Sequence, residues 1–475
     1  PTPQQNPQEP VITSGNITTE PAGVLYTEDP DATPAIDLKN YTEEGAAIPV
    51  LKNLQAENLN EGAQLVYRLE ISATEDFATK QVINLTAGNT PETADIYYAD
   101  PMVWNTAHIA VFGQSPKPQT AYYRIPVYIH LADTDFRYTS NDFYALEGKM
   151  SVSRMQPDFV IEEAYYVFGP FIGGNTPATG VAMIHSDRDE YDDPSFTYFF
   201  EVSESEAATG YSLMIAPASV KTAAGNAQQC YGAGQNEGKL VLAGQPIKVE
   251  AAGPYKLEVN MKEFTYAISA APKQLYAPSD GAKFNKKCLA LPTSDYVIYS
   301  GLTYLENGFT LTGQKGWTPV AYGQGDGAGV IKRIDNGNND DDKIAVENKG
   351  SHWVSVDLGK MTVSTEFVKT LGIVGSFNGW GETDDPELKH DANFIEWKGE
   401  FTVTEDDLKD NPCEWKIRAN ADWKVSFGEP KWEGNVQVDN QADFDGANWK
   451  ITEAGKYEVV FNCGTYPYTV TLTKK

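Results

Sequence analysis

Six of the nine tryptophans lie within residues 366–475, and their spacing separates packing from chemistry. Cys413-Glu414-Trp415-Lys416-Ile417-Arg418 alternates with period two, which predicts a half-buried strand. Cys413, Trp415 and Ile417 face inward, and Lys416 and Arg418 share the opposite, wet face. A polar loop, Ala419-Asn420-Ala421-Asp422, then delivers Trp423 to a loop tip. A second loop, Gly375-Ser376-Phe377-Asn378-Gly379-Trp380, places Trp380 just past an Asn-Gly turn. Asn448 stands before a later strand and offers an amide. Trp397 and Trp415 alternate with inward residues and belong to the core, whereas Trp432 and Trp449 fit either place.

Indoles beside cationic donors suit a neutral, polyhydroxylated ring. Pyranoses present apolar C–H faces to stack and hydroxyl rims that need hydrogen bonds. Two indoles set at an angle favour a curved α-1,4-glucan over a flat chain. Burying about 100–150 Å² at roughly 25 cal/mol per Å² gives on the order of 3 kcal/mol. Weak sites in tandem gain through effective concentration.

The elements that hold these residues are strands. Short alternating runs between Gly, Asn, Asp and Pro turns predict an all-β chain of tandem β-sandwiches. In the first part, Leu65, Tyr67, Leu69 and Ile71 point inward, as do Tyr123, Ile125, Val127 and Ile129. Pro126 marks that second strand as an edge. Helical amphipathic patterning is nearly absent.

The remainder repeats itself. Ile247-Lys248-Val249 with Gly253, Ile344-Ala345-Val346 with Gly350, and Trp449-Lys450-Ile451 with Gly455 share one apolar-to-Gly spacing. A glycine of positive φ closing a tight antiparallel turn accounts for it. Aligned on this repeat, Trp415 matches Phe309 and Tyr211. Trp423 matches Trp317 in the second copy and Ser219 in the first. Lys416 and Arg418 become Thr310 and Thr312, then Ser212 and Met214. The expected layout is a linker (1–12), an immunoglobulin- or fibronectin-like domain (13–157) and three modules resembling carbohydrate-binding modules (158–272, 273–367 and 368–475).

Composition narrows the partners. With 37 basic and 66 acidic residues, the formal charge of −29 excludes nucleic acid and anionic membrane surfaces. No apolar run approaches the roughly 20 residues of a membrane-spanning helix. Cys230, Cys288, Cys413 and Cys463 lack any CxxC spacing, and Cys413 and Cys463 read as two buried thiols or a pair. The proline-rich opening, residues 1–10, reads as an extended tether.

Catalytic and metal readings find little. No G-x-S-x-G or H-E-x-x-H occurs, and His108, His130, His185, His352 and His390 are isolated. Asp335-Asn336-Gly337-Asn338-Asn339-Asp340-Asp341-Asp342 departs from a calcium loop at its sixth and twelfth positions, so an acidic surface turn is expected. No cofactor or metal is expected.

Gly375–Trp380, Trp415–Arg418 with Trp423, and Gly446-Ala447-Asn448-Trp449-Lys450-Ile451 together resemble the starch-binding modules of early-set β-sandwich type. The layout of one immunoglobulin-like domain and three modules resembles the SusE/SusF family of Bacteroidetes starch-utilisation systems, its SusF branch in particular. That resemblance implies non-catalytic capture of starch or another α-glucan. It implies an outer-membrane, cell-surface lipoprotein whose N-terminal lipid anchor has been removed here, beside a glycan transporter complex. By resemblance Trp380 and Trp423 stack glucose, with Lys416, Arg418 and Asn448 bonding hydroxyls. Trp317 stacks in the second module, with Phe284 in the place of Trp380, and the first module is a spacer. The alternatives are binding of a different glycan, a structural or interaction role in a glycan-uptake complex, and, less readily, a glycoside hydrolase.

Overall fold

The computed structural model describes residues 14–24, 33–138, 143–317, 320–431 and 440–475. The proline-rich opening and Trp432 lie outside them. Two compact units are present: 1–163 with 188–194, and 164–187 with 195–475. Most of the regular elements in both are strands.

In the first unit, one sheet runs in the order Ala35–Asp37, Tyr144–Ser153, Gln119–Leu131, Gln64–Ser72, Lys80–Asn84. A second joins Ile48–Lys52, Ile96–Ala99 and Thr86–Ala87. The inward residues read from the alternation are all buried. Pro126 is not on an edge, however. Its strand lies between two neighbours, and Pro126 is itself buried. The sheet tolerates it because one ladder shifts register between Tyr144 and Glu147, beside Pro126, and the other skips from Tyr67–Val127 to Glu70–Arg124. On the Gln64–Ser72 side the pairing is interrupted where Pro126 lacks its N–H. A helix, Pro101–Phe112, was not expected either. Asp100 caps it by accepting from the Met102 and Val103 amides, with Pro101 in its first turn.

The second unit contains three sheet groups. Residues 165–270 pair a sheet around Tyr211–Pro217 with a three-stranded sheet, Ser195–Val202, Gly253–Asn260, Thr265–Ala270. Residues 274–367 repeat that arrangement around Leu311–Thr312 and around Ile298–Leu305, Gly350–Asp357, Thr362–Phe367. In 371–474, a nine-strand path closes on itself because Leu371–Gly375 also pairs with Cys413–Ala419. Each repeat glycine has positive φ: 143° at Gly253, 143° at Gly350 and 158° at Gly455. These backbones disfavour any residue with a Cβ.

Pairing shifts the alignment of the first copy by two residues. Trp415 faces Trp449 and Phe309 faces Ile344, but Tyr211 faces Val249 rather than Ile247. Leu213, opposite Ile247, is the counterpart of Trp415, and Tyr211 that of Cys413. Met214 and Ala216, not Ser212 and Met214, then take the places of Lys416 and Arg418. Spacing alone hid this because both residues are apolar and both are buried.

The last two modules share one core. Leu289 and Leu302 of the second belong to the cluster built on Trp397, Trp415, Phe427 and Phe461 of the third. The Leu302 amide donates to the Tyr468 hydroxyl at 2.8 Å across that boundary. All four cysteines are buried and free, including Cys413 and Cys463.

Candidate functional site: an indole pair over a clamped arginine

The face opposite Trp415 is where the sequence placed its cluster. Cys413, Trp415 and Ile417 are buried as expected. Lys416 and Arg418 are not on a wet face: they are only 9% and 6% exposed. Trp423 covers them, with the Arg418 guanidinium 4.8 Å and the Lys416 ammonium 5.9 Å from its ring centroid. Alternation assigns a side chain to a face; it does not reveal that a later loop folds back over that face.

A carboxylate that sequence reasoning missed completes the arrangement. Asp385, itself buried, accepts from Arg418 Nε at 2.6 Å and Nη2 at 3.1 Å, a bidentate clamp. Asn378 Nδ2 donates to Asp385 at 3.1 Å, and its Oδ1 accepts from the Gly375 amide at 2.9 Å. Asn378 thus ties the loop bearing Trp380 to the clamp beneath Trp423. The only sequence signal for Asp385 was its place in an acidic stretch after the Trp380 loop.

Backbone conformation presents both indoles. Gly379 and Trp380 adopt φ of 61° and 58°. A bulky residue there costs on the order of 1 kcal/mol or more, so the fold holds Trp380 against a local preference. Asn420 and Ala421 also have positive φ. The Asn420 side chain accepts from the Lys369 amide at 2.9 Å and donates to the Phe367 carbonyl at 2.7 Å, which fixes the Trp423 loop. The two rings lie 6.1 Å apart at 43°. Trp423 is 48% exposed and Trp380 is half-buried. They form a bent apolar shelf open to solvent.

Polar groups flank it. Burial pushes the Lys416 ammonium below the usual lysine range, against the opposing pull of Asp445. Among the described residues no carboxylate reaches ion-pair distance of it. Asn448 donates to Glu414 at 3.1 Å. Glu414 shares the Lys416 face two residues away, about 7 Å along the strand. Asn448 therefore sits at the far end of the row, engaged with a carboxylate. Trp449 is half-buried and packs 4.6 Å from Trp415.

The second module keeps the presenting backbone and changes both the ring angle and the support. Phe284 has φ of 57°, matching Trp380, and lies 4.9 Å from Trp317 in an edge-on pair at 73°. Thr310 and Thr312 are fully covered. Thr310 Oγ1 donates to the Gly337 carbonyl at 2.8 Å, so the acidic Asp335–Asp342 turn roofs this face. Asn339 caps the short 3-10 helix Asp340–Asp342, and Lys343 pairs with Asp340 and Asp280. Among the described residues no group of three His, Cys, Asp or Glu side chains could hold a metal ion.

In the first module, Phe168, Met214, Ala216 and Cys230 form an apolar cluster on the corresponding face. Tyr166 is half-buried opposite Ala216, and the Lys221 ammonium lies 5.1 Å from its ring centroid.

Residues 160–270 match the family model described as SusF, first starch specific CBM. No curated protein sequence matches the chain. Among solved structures, SusF from Bacteroides thetaiotaomicron is similar at 15% identity and a TM-score of 0.40, covering 97% of this chain and 100% of that chain.

Proposed function

We propose that the chain is a non-catalytic binder of starch-like α-glucan at the bacterial cell surface. The observation that carries this reading is the pair Trp380 and Trp423, inclined at 43° over the Arg418–Asp385 clamp. A curved glucan lays successive pyranose faces on two inclined rings, and the polar row supplies donors and acceptors to hydroxyls. Arg418 works chiefly beneath Trp423, since two of its nitrogens bind Asp385; Lys416 is the freer donor. Asn448 serves through Glu414 at the end of the row.

Phe284 and Trp317 form a second, narrower platform. The match of residues 160–270 to a starch-specific family supports binding by the first module as well, with Tyr166 as its stacking ring. That replaces the spacer role expected from the missing tryptophans. A lipid-anchored setting at the outer membrane, beside a glycan transporter, is part of the same reading. No helix among the described residues is long and apolar enough to cross a membrane.

Affinity electrophoresis tests the ligand class. Migration is expected to be retarded in gels containing soluble starch and unchanged in gels containing dextran or xylan. Equal retardation in all three would replace the α-glucan with glycans in general, and none in starch would sink the reading. Release of new reducing ends from starch would overturn the non-catalytic part.

A further inference from the structure

Three exposed apolar side chains, Ile298, Phe444 and Tyr466, converge on one cleft between the second and third modules; they are 38%, 38% and 55% exposed. The cleft holds about 260 Å³. Trp353 forms its floor, stacked on Phe444 at 4.3 Å and 9°. Ser294, Ser300 and Asp443 add polar groups to its lining. The shared core around Leu302 and the Leu302–Tyr468 hydrogen bond fix the walls relative to each other.

A rigid concave surface lined by aromatic rings and a few polar groups is the form that small-ligand sites take. A wholly apolar one would strip water from the Asp443 carboxylate without replacing it. A pyranose stacks its C–H face on Tyr466 or Phe444 and donates hydroxyls to Asp443, a charge-assisted bond. Continuity points the same way. Phe444 pairs with Phe427, and Phe427 pairs with Ile417, between Lys416 and Arg418 on the strand beneath Trp423. One sheet therefore carries both a wall of the cleft and the strand beneath the indole shelf.

We propose that this intermodular cleft is a further binding site for a neutral glucan ring, separate from the Trp380–Trp423 shelf. The ligand class rests on the α-glucan reading; the location does not. The test is methyl NMR of the full chain titrated with maltoheptaose, following the Ile298 δ1-methyl and the Trp423 indole N–H. The Ile298 methyl should shift saturably in the native chain and in the Trp380→Ala, Trp423→Ala variant. Tyr466→Ala should weaken the affinity read at that methyl at least tenfold, and Ser294→Trp, an exposed substitution at the rim, should abolish its shift. If the Trp423 signal moves and Ile298 does not, the cleft proposal falls while the shelf stands. An Ile298 shift that survives Ser294→Trp also overturns it. If neither signal moves, the α-glucan reading fails and takes the cleft's ligand with it.

Discussion

The second and third modules set the same two-ring device on different foundations. Phe284 and Trp380 share a left-handed backbone, at φ of 57° and 58°, so the presenting turn is common to both. On the corresponding strand face, the third module has a buried ion pair and a buried lysine, where the second has two threonines under a turn. The presenting backbone is thus shared while the support differs, and the ring pairs differ with it, 6.1 Å apart at 43° in the third module and 4.9 Å at 73° in the second. Trp423 lies over the Arg418 guanidinium and the Lys416 ammonium. Trp317 meets Phe284 edge-on.

The comparison breaks most visibly in stability. Asp385→Ala leaves the Arg418 guanidinium buried and unpaired, which should cost about 3–5 kcal/mol. Thr310→Ala in the second module removes one neutral hydrogen bond, worth about 1 kcal/mol. Urea unfolding of the two variants measures both, and equal losses would show that the foundations do not differ. Next comes affinity: Trp317→Ala should weaken maltoheptaose binding at the second module by roughly tenfold, about 1.4 kcal/mol. Phe284→Trp should tighten it a few-fold by restoring the larger ring, as titration calorimetry would record.

The smallest effect is in pH. The Lys416 ammonium is held below the usual lysine range, so it loses its proton before exposed lysines as pH rises. Binding at the third module should therefore decline on the alkaline side, and Lys416→Met should flatten that limb. The second module, with threonines in those places, should show no such limb. A limb that persists in the variant would assign the titration elsewhere.

The sequence made the strands, the core tryptophans and the repeat glycines legible because each depends on local period or local φ. Trp397 and Trp415 are both 1% exposed, as their alternation required. What it hid depends on tertiary closure. Lys416 and Arg418 were placed on the correct face, yet that face is covered. Asp385 lies 33 residues from Arg418, and no local pattern joins them. Pro126 reads as an edge signal in the sequence because the bulge that accommodates it belongs to a neighbouring strand. The helix Pro101–Phe112 had a usable start signal, Asp100-Pro101, but no amphipathic face. Trp353 could have been placed outward, since His352 and Val354 alternate into the core beside it.

The proposed function stands on Trp380 and Trp423 as the shelf that holds an α-glucan. Titration calorimetry with maltoheptaose on the native chain and on the Trp380→Ala, Trp423→Ala variant tests it most directly. The account predicts that the variant keeps its fold by circular dichroism and loses at least about 100-fold in affinity at one site, near 2.7 kcal/mol. A folded variant that binds with undiminished affinity and the same number of sites would contradict it.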